Sequence, residues 1–251
     1  RAVELGGGDW RTHLALTEFY GTNGRIAEAR KVAGVGAALF PASYALQLAS
    51  ARAMIMTGEH AGARAILDTL AILPFEGARY GREAYRFVYV MSALDALKRG
   101  NPGEAHMLLA KAREWPERLG AGKPYDTDDR VEDLIDAVAC DRSGDVRGAQ
   151  EYRRKIIAYS QEHAGMDRVQ HVIGIVTMRK EGKDEAARAL LRSWPPPAPQ
   201  NAVQAWARFF LDGKGKEARA LEATAPPEMD RWSGDAEYRL VRSTLDALGI
   251  P

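Results

Sequence analysis

Apolar residues recur along the chain at intervals of three and four, in run after run. Alternating stretches bounded by turns are absent, so the pattern predicts helices and no sheet. Leu14, Leu16, Phe19 and Tyr20 mark a first helix and Ile26, Ala29, Val32, Ala33 and Leu39 a second, which Pro41 stops. The same alternation returns at 46–56 with 63–70, 87–97 with 107–112, and 131–140 with 146–159. Asn101 and Pro102 suit the N-cap and first turn of one helix, and Asp126 or Thr127 suits the N-cap of another. Farther on, 169–178 pairs with 186–191, and 202–210 with a short helix around 218–221 that halts before Pro226 and Pro227. A last helix over 235–248, carrying Tyr238, Leu240, Val241, Leu245 and Leu248, is expected to cap the last open face. PPPAPQ at 195–200 reads as a stiff connector, a spacer within one array or, alternatively, a domain boundary.

The punctuation between these runs is regular. A glycine is followed five residues later by an alanine at Gly24/Ala29, Gly58/Ala63, Gly100/Ala105, Gly144/Ala149, Gly182/Ala187 and Gly213/Ala218. Each glycine can end a helix in the left-handed conformation, and each alanine lets the next helix pack closely on the one before. The glycines are 34, 42, 44, 38 and 31 residues apart.

The glycine, alanine and proline order of the first pair, with Tyr20 four residues before Gly24, resembles a tetratricopeptide repeat, whose period the first spacing matches. LPFEGARYGR at 73–82, WPERLGAGKPYD at 115–126 and DRVEDLI at 129–135, in that order and register, resemble the helical repeat region of a family of large bacterial proteins. The likeness covers residues 10–162. In that family the repeats follow a β-rich region related to sugar-handling β-sandwiches, and nothing in this chain resembles that region. The resemblance implies an all-α, right-handed superhelical solenoid of about six tetratricopeptide-like hairpins plus a C-terminal capping helix. It would occupy residues 9–251 after a flexible segment at 1–8. A sugar-related role enters by this association alone.

Composition narrows the functional classes. Lys and Arg total 35 against 34 Asp and Glu, with a pI near 8.0, so no global field draws the chain to nucleic acid or an anionic membrane. No apolar window reaches membrane-spanning length and no signal-peptide core is visible, so the expectation is a soluble, cytoplasmic protein. The chain begins with Arg1 rather than Met, the expected mark of a fragment or processed product. Cys140 stands alone in an apolar run and reads as a small buried hydrophobe. His13, His60, His106, His163 and His171 form no HxxxH or HExxH pair, so no metal or other cofactor is expected. The Gly6 to Gly8 run lacks the strand and lysine of a phosphate loop. Asp126, Asp128, Asp129, Glu132 and Asp133 are dense enough for a glycosidase acid pair, but helix capping and solvation account for them more simply.

The longest interruption of the helical pattern, EWPERLGAGKPYDTDDR at 114–130, holds Pro116, Pro124, Gly120 and Gly122, as a shaped loop would. First helices of tetratricopeptide hairpins line the inner groove, which places Phe87, Val90, Leu94 and Leu97, then Val131, Leu134 and Val138, on a face that water should not meet. The loop is expected to fold back over this face as a plug. Alternatively, loop and groove form a pocket edged by Glu76, Arg82, Trp115, Glu117, Lys123, Tyr125, Asp126 and Arg130. In that pocket Arg82 and Arg130 suit a carboxylate or phosphate, and Lys123 offers a point charge. The reading is a non-enzymatic interaction module that binds a peptide, a neighbouring domain of its parent protein or a second copy, and neither nucleic acid nor membrane. The alternative is an accessory or substrate-positioning domain of a larger carbohydrate-active enzyme.

Overall fold

The computed structural model describes residues 8–75, 78–194, 201–224, 229–232 and 234–250. Among them are thirteen α-helices and no strand. In chain order these are α1 Trp10–Thr22, α2 Ile26–Leu39, α3 Tyr44–Met56, α4 His60–Leu67, α5 Arg79–Lys98, α6 Pro102–Ala112, α7 Arg130–Ser143, α8 Val146–Glu162, α9 His171–Lys180, α10 Asp184–Ser193, α11 Ala202–Leu211, α12 Gly215–Ala223 and α13 Ala236–Leu248. The segment expected at 1–8, apart from Gly8, and the spacer at 195–200 lie outside the described residues, as do Pro226 and Pro227.

The glycine punctuation has a stereochemical cause. Gly24, Gly58, Gly100, Gly144, Gly182 and Gly213 all hold φ between 68° and 80°, the left-handed region that side chains resist. At each, the next residue's N–H reaches back to a carbonyl of the last turn, as in Arg25 to Tyr20 (2.8 Å), Asp145 to Cys140 (2.9 Å) and Lys214 to Phe209 (2.8 Å). These bonds satisfy carbonyls that a helix end would otherwise leave bare, and they turn the chain into the next helix. The alanine five residues on is then buried in every case, at 5% exposure or less. Asn101 caps α6 as expected, its Oδ1 accepting from the Glu104 N–H at 3.1 Å while its amide donates back to Glu104.

The chain divides into two compact units, Arg1–Ser92 with Ala110–Tyr125, and Ala93–Leu109 with Asp126–Pro251. The division falls within α5 and α6, each of which gives residues to both. In the first unit α1 packs on α2 and α3, α2 on α3, and α3 on α4. The buried face of α1 is not the expected one. Phe19 is exposed and Leu14 and Leu16 are half-buried, while His13, Thr17 and Gly21 face inward. The small Gly21 and the locally satisfied Thr17 permit a closer approach here than leucines would. The Thr17 hydroxyl donates to the His13 carbonyl at 2.8 Å, and a Cβ on Gly36 of α2 would stand 2.8 Å from that of His13.

In the second unit α7 packs on α8, α8 on α9, α9 on α10, and α11 on α12, with α9 also touching α7 and α11. Its largest fully buried side chains include Trp194, Trp206 and Trp232. Asp235 caps α13 by accepting from the Tyr238 N–H at 2.7 Å. That helix meets the last pair, Tyr238 standing 5.0 Å from the Trp206 ring of α11 and Arg242 donating to Glu222 of α12 at 2.7 Å, and it also packs on α7, far back along the chain. Neither Asp126 nor Thr127 caps α7. Asp129 takes the N-cap position and Asp128 receives the Arg130 N–H at 3.3 Å.

Candidate functional site

The central loop is held at its start within the first unit. Ile72 donates to the Arg118 carbonyl at 2.7 Å, and the Arg118 guanidinium donates to the Leu67 carbonyl at 3.0 Å. Leu119 is fully buried next in sequence. Gly120 then turns with φ +70°, close against the 72–73 backbone. Arg82 is buried, donates to the Ala112 carbonyl at 2.8 Å and lies 4.4 Å from the ring centre of Trp115. The Arg118 guanidinium stands over Tyr85, whose hydroxyl donates to Glu114. Burial, and then the Glu114 charge, push the Tyr85 hydroxyl up from its usual range.

The loop's other end enters the second unit through a buried polar cluster. Arg130, at 1% exposure, donates from Nε and Nη2 to both oxygens of Asp128 at 2.8 and 2.6 Å. Its Nη1 donates to Ser160 Oγ of α8 and to His171 Nδ1 of α9, each at 3.0 Å. His171 therefore carries its proton on Nε2, which donates to the Met166 carbonyl at 3.0 Å. Burial, with the Arg130 charge beside it, lowers the His171 pKa to about 4. Ser160 gives its own proton to the Ile156 carbonyl at 2.7 Å. Serine and histidine thus face one guanidinium nitrogen, which cannot accept a proton, so no proton relay joins them. Outside this cluster Asp126 accepts from Tyr159 at 2.8 Å and from Arg168 at 3.4 Å. Burial, and then the hydrogen bond to Asp126, push the Tyr159 hydroxyl up to about 12.

Of the eight residues singled out from the sequence, Glu76 lies outside the described residues. Arg82 and Trp115 stack together in the first unit, with Glu117 exposed in the 3-10 turn Glu117–Leu119. Lys123 and Tyr125 project at the loop tip, and the Tyr125 side chain is fully exposed. Asp126 and Arg130 belong to the second unit, where Arg130 is spent on internal partners. The loop's start thus rests on the 67–73 segment. Leu134 and Val138 of α7 line a half-open cavity together with Leu248 of α13 and Ile250 just after it.

That cavity holds about 460 Å³ and lies wholly within the second unit. Leu134, Ala137, Val138, Val176, Leu248 and Ile250 make it apolar, and Asp141, Arg142, Arg153 and Lys180 supply its polar lining. Asp141 accepts from Arg153 and Lys180, and Arg142 donates to the Leu97 carbonyl at 2.7 Å. Thr177 also lines it, and its buried hydroxyl has no hydrogen-bond partner.

Sequence reasoning missed Ser160, His171 and Thr177. The first two meet Arg130 across 30 and 41 residues, a separation no local pattern encodes. Thr177 carried a faint signal as a hydroxyl within an otherwise apolar helical run. Cys140 is half-buried rather than buried, with burial and the nearby Asp145 raising its thiol pKa. Among the described residues no three of His, Cys, Asp and Glu are grouped to hold a metal, and no helix is long and apolar enough to cross a membrane. Among the described residues the class defined here is an all-helical protein of successively packed helices. Compared with protein families, curated proteins and solved structures, the chain matches none of them.

Proposed function

We propose that the chain is a non-enzymatic interaction module, a right-handed superhelical solenoid of about six tetratricopeptide-like hairpins. Its partner is a peptide or a neighbouring domain of a longer parent protein, engaged by the inner helices and the loop tip. The regular left-handed glycines with a buried alanine after each support the repeat reading. One observation carries the binding reading. The amphipathic α13 lies against α7, beside a cavity floored by Leu134, Val138 and Val176, as a helical ligand lies in a groove. Lys123 and Tyr125 offer a second, exposed contact whose side chains no internal packing consumes.

Calorimetric titration of the chain with the remainder of its parent polypeptide tests this reading, with Lys123→Ala/Tyr125→Ala as the comparison. Binding that weakens about tenfold in the folded double variant supports docking through the tip. An unaltered chain that gives no heat with that polypeptide removes the neighbouring-domain form of the proposal.

A further inference from the structure

The half-open cavity in the second unit has two unlike ends. Leu134, Ala137, Val138 and Asp141 line it from one face of α7, and Val176 and Lys180 from one face of α9. Lys180 donates to Asp141 at 3.2 Å, so the last turns of both helices meet at a single, charged end. Toward the other end the lining is hydrocarbon, and Leu248 and Ile250 add to it. Along α7 the stripe from Leu134 to Asp141 runs about 10 Å, which an extended acyl chain of about eight carbons also spans.

At the charged end the ion pairs do not balance. Asp141 takes both Arg153 and Lys180, and Arg153 also pairs with Glu181 at 3.4 Å. Arg142 gives one Nη1 hydrogen to the Leu97 carbonyl at 2.7 Å, a neutral contact that fixes the guanidinium without answering its charge. Among the described residues no carboxylate pairs with it. The C-terminal dipoles of α7 and α9 oppose an anion here, but more weakly than a guanidinium that offers two parallel N–H groups attracts one.

We propose that this cavity binds a straight-chain monocarboxylate of about eight carbons, with its carboxylate on Arg142 and its tail along Leu134, Val138, Val176 and Leu248. Arg142 selects the carboxylate because its remaining N–H groups are planar donors that no acidic side chain of the chain consumes. The hydrocarbon wall selects the tail, since a charged or short guest leaves it wet. Such a site goes beyond the interaction-module reading and does not depend on it.

Isothermal titration of the full chain with octanoate, 1-octanol, octylamine and acetate tests this, alongside Arg142→Gln and Val138→Phe. Octanoate is expected to bind saturably and at least about fivefold more tightly than octanol. In folded Arg142→Gln that preference should vanish, octanoate weakening about fivefold or more while octanol keeps its affinity. Val138→Phe, which fills the cavity, should weaken both. Absence of saturable octanoate binding makes the cavity a packing defect and overturns the proposal. A preference over octanol smaller than about fivefold overturns it too, because apolar contact alone then decides. So does tighter binding of octylamine, which makes Asp141 the anchor, and so does acetate binding as tightly as octanoate, which leaves the hydrocarbon wall no part. A folded Arg142→Gln with unchanged octanoate affinity takes the guanidinium out of the site, and a folded Val138→Phe with unchanged affinity takes the tail out of the cavity; either result overturns the proposal. Should Arg142→Gln lose its helical circular dichroism, the comparison of the four ligands on the unaltered chain decides alone.

Discussion

Gly24 and Gly120 share a left-handed backbone, with φ of +71° and +70°, but their surroundings differ. A Cβ on Gly24 would meet nothing within 4 Å, so Gly24→Ala bears only the conformational penalty, about 1 kcal/mol. A Cβ on Gly120 would stand 2.6 Å from the Ile72 carbonyl oxygen and 3.0 Å from that of Leu73, both backbone atoms that cannot rotate aside. Gly120→Ala should therefore cost about 3 kcal/mol or more, loosening the Ile72 to Arg118 bond as well. Urea midpoints of the two variants measure the difference, and equal losses would show that the 72–73 segment yields easily. His171 makes a second prediction at this scale. Its folded pKa of about 4 lies below the unfolded value of 6.5, so at acid pH the unfolded chain binds a proton that the folded chain refuses. Stability is thus intact above about pH 6.5 and falls as the pH drops toward 4, by about 3 kcal/mol at most. The groups acting on His171 include Arg130, Asp128, Arg168, the Met166 carbonyl and the Trp194 ring, and His171→Gln should flatten the fall in denaturation curves taken between pH 7 and 4.

At the scale of the element, the Arg130 cluster ties the loop's exit to α7, α8 and α9. Arg130→Met leaves the Asp128 carboxylate, at 8% side-chain exposure, without its bidentate partner, and should cost about 3–5 kcal/mol. Arg130→Lys should recover little of this, because an ammonium cannot reproduce the planar fork that reaches Asp128, Ser160 and His171 together. Asp128→Asn combined with Arg130→Met should be less damaging than the sum of the single changes, the sign of a coupled pair in a double-mutant cycle. Along α13 the cost of truncation should follow packing. Leu245→Ala, at a fully buried position, is expected to cost about 2–4 kcal/mol, and Leu248→Ala, half-buried at the cavity, less than about 1.5 kcal/mol. Chemical denaturation of the two variants checks the order.

For the whole molecule, 35 basic and 34 acidic side chains leave almost no net repulsion for salt to screen. Many ion pairs sit at the surface, as Lys155 with Glu151 and Arg188 with Glu185 do. Raising NaCl from about 0.05 to 0.5 M should therefore shift the melting temperature by only about 2 °C. A much larger fall would place more weight on partly buried pairs such as Arg153 with Asp141 and Glu181.

Local order was legible in the sequence because its causes are local. Only glycine turns the chain left-handed so cheaply at the end of a helix, and only a small side chain fits where the next helix crosses, so Gly24 with Ala29 and its five counterparts announced the turns without any tertiary information. Asn101 before Pro102 announced a helix start for the same reason. Which face of a helix is buried was less legible. On α1 the interior took His13, Thr17 and Gly21 over the more apolar Phe19, because close approach of the backbones outweighed side-chain hydrophobicity. The candidate site was legible only in its parts. Trp115, Arg82 and Arg130 drew notice as residue types, but their partners were set by contacts across 30 residues or more, as with Arg82 to Ala112 and Arg130 to His171. The sequence by itself thus determined the helices, their turns and the amphipathic character of α13, all written within a few residues of each position. Tertiary structure alone decided that α13 rests on α7 and that Arg130 is consumed internally, because those outcomes depend on which distant surfaces meet.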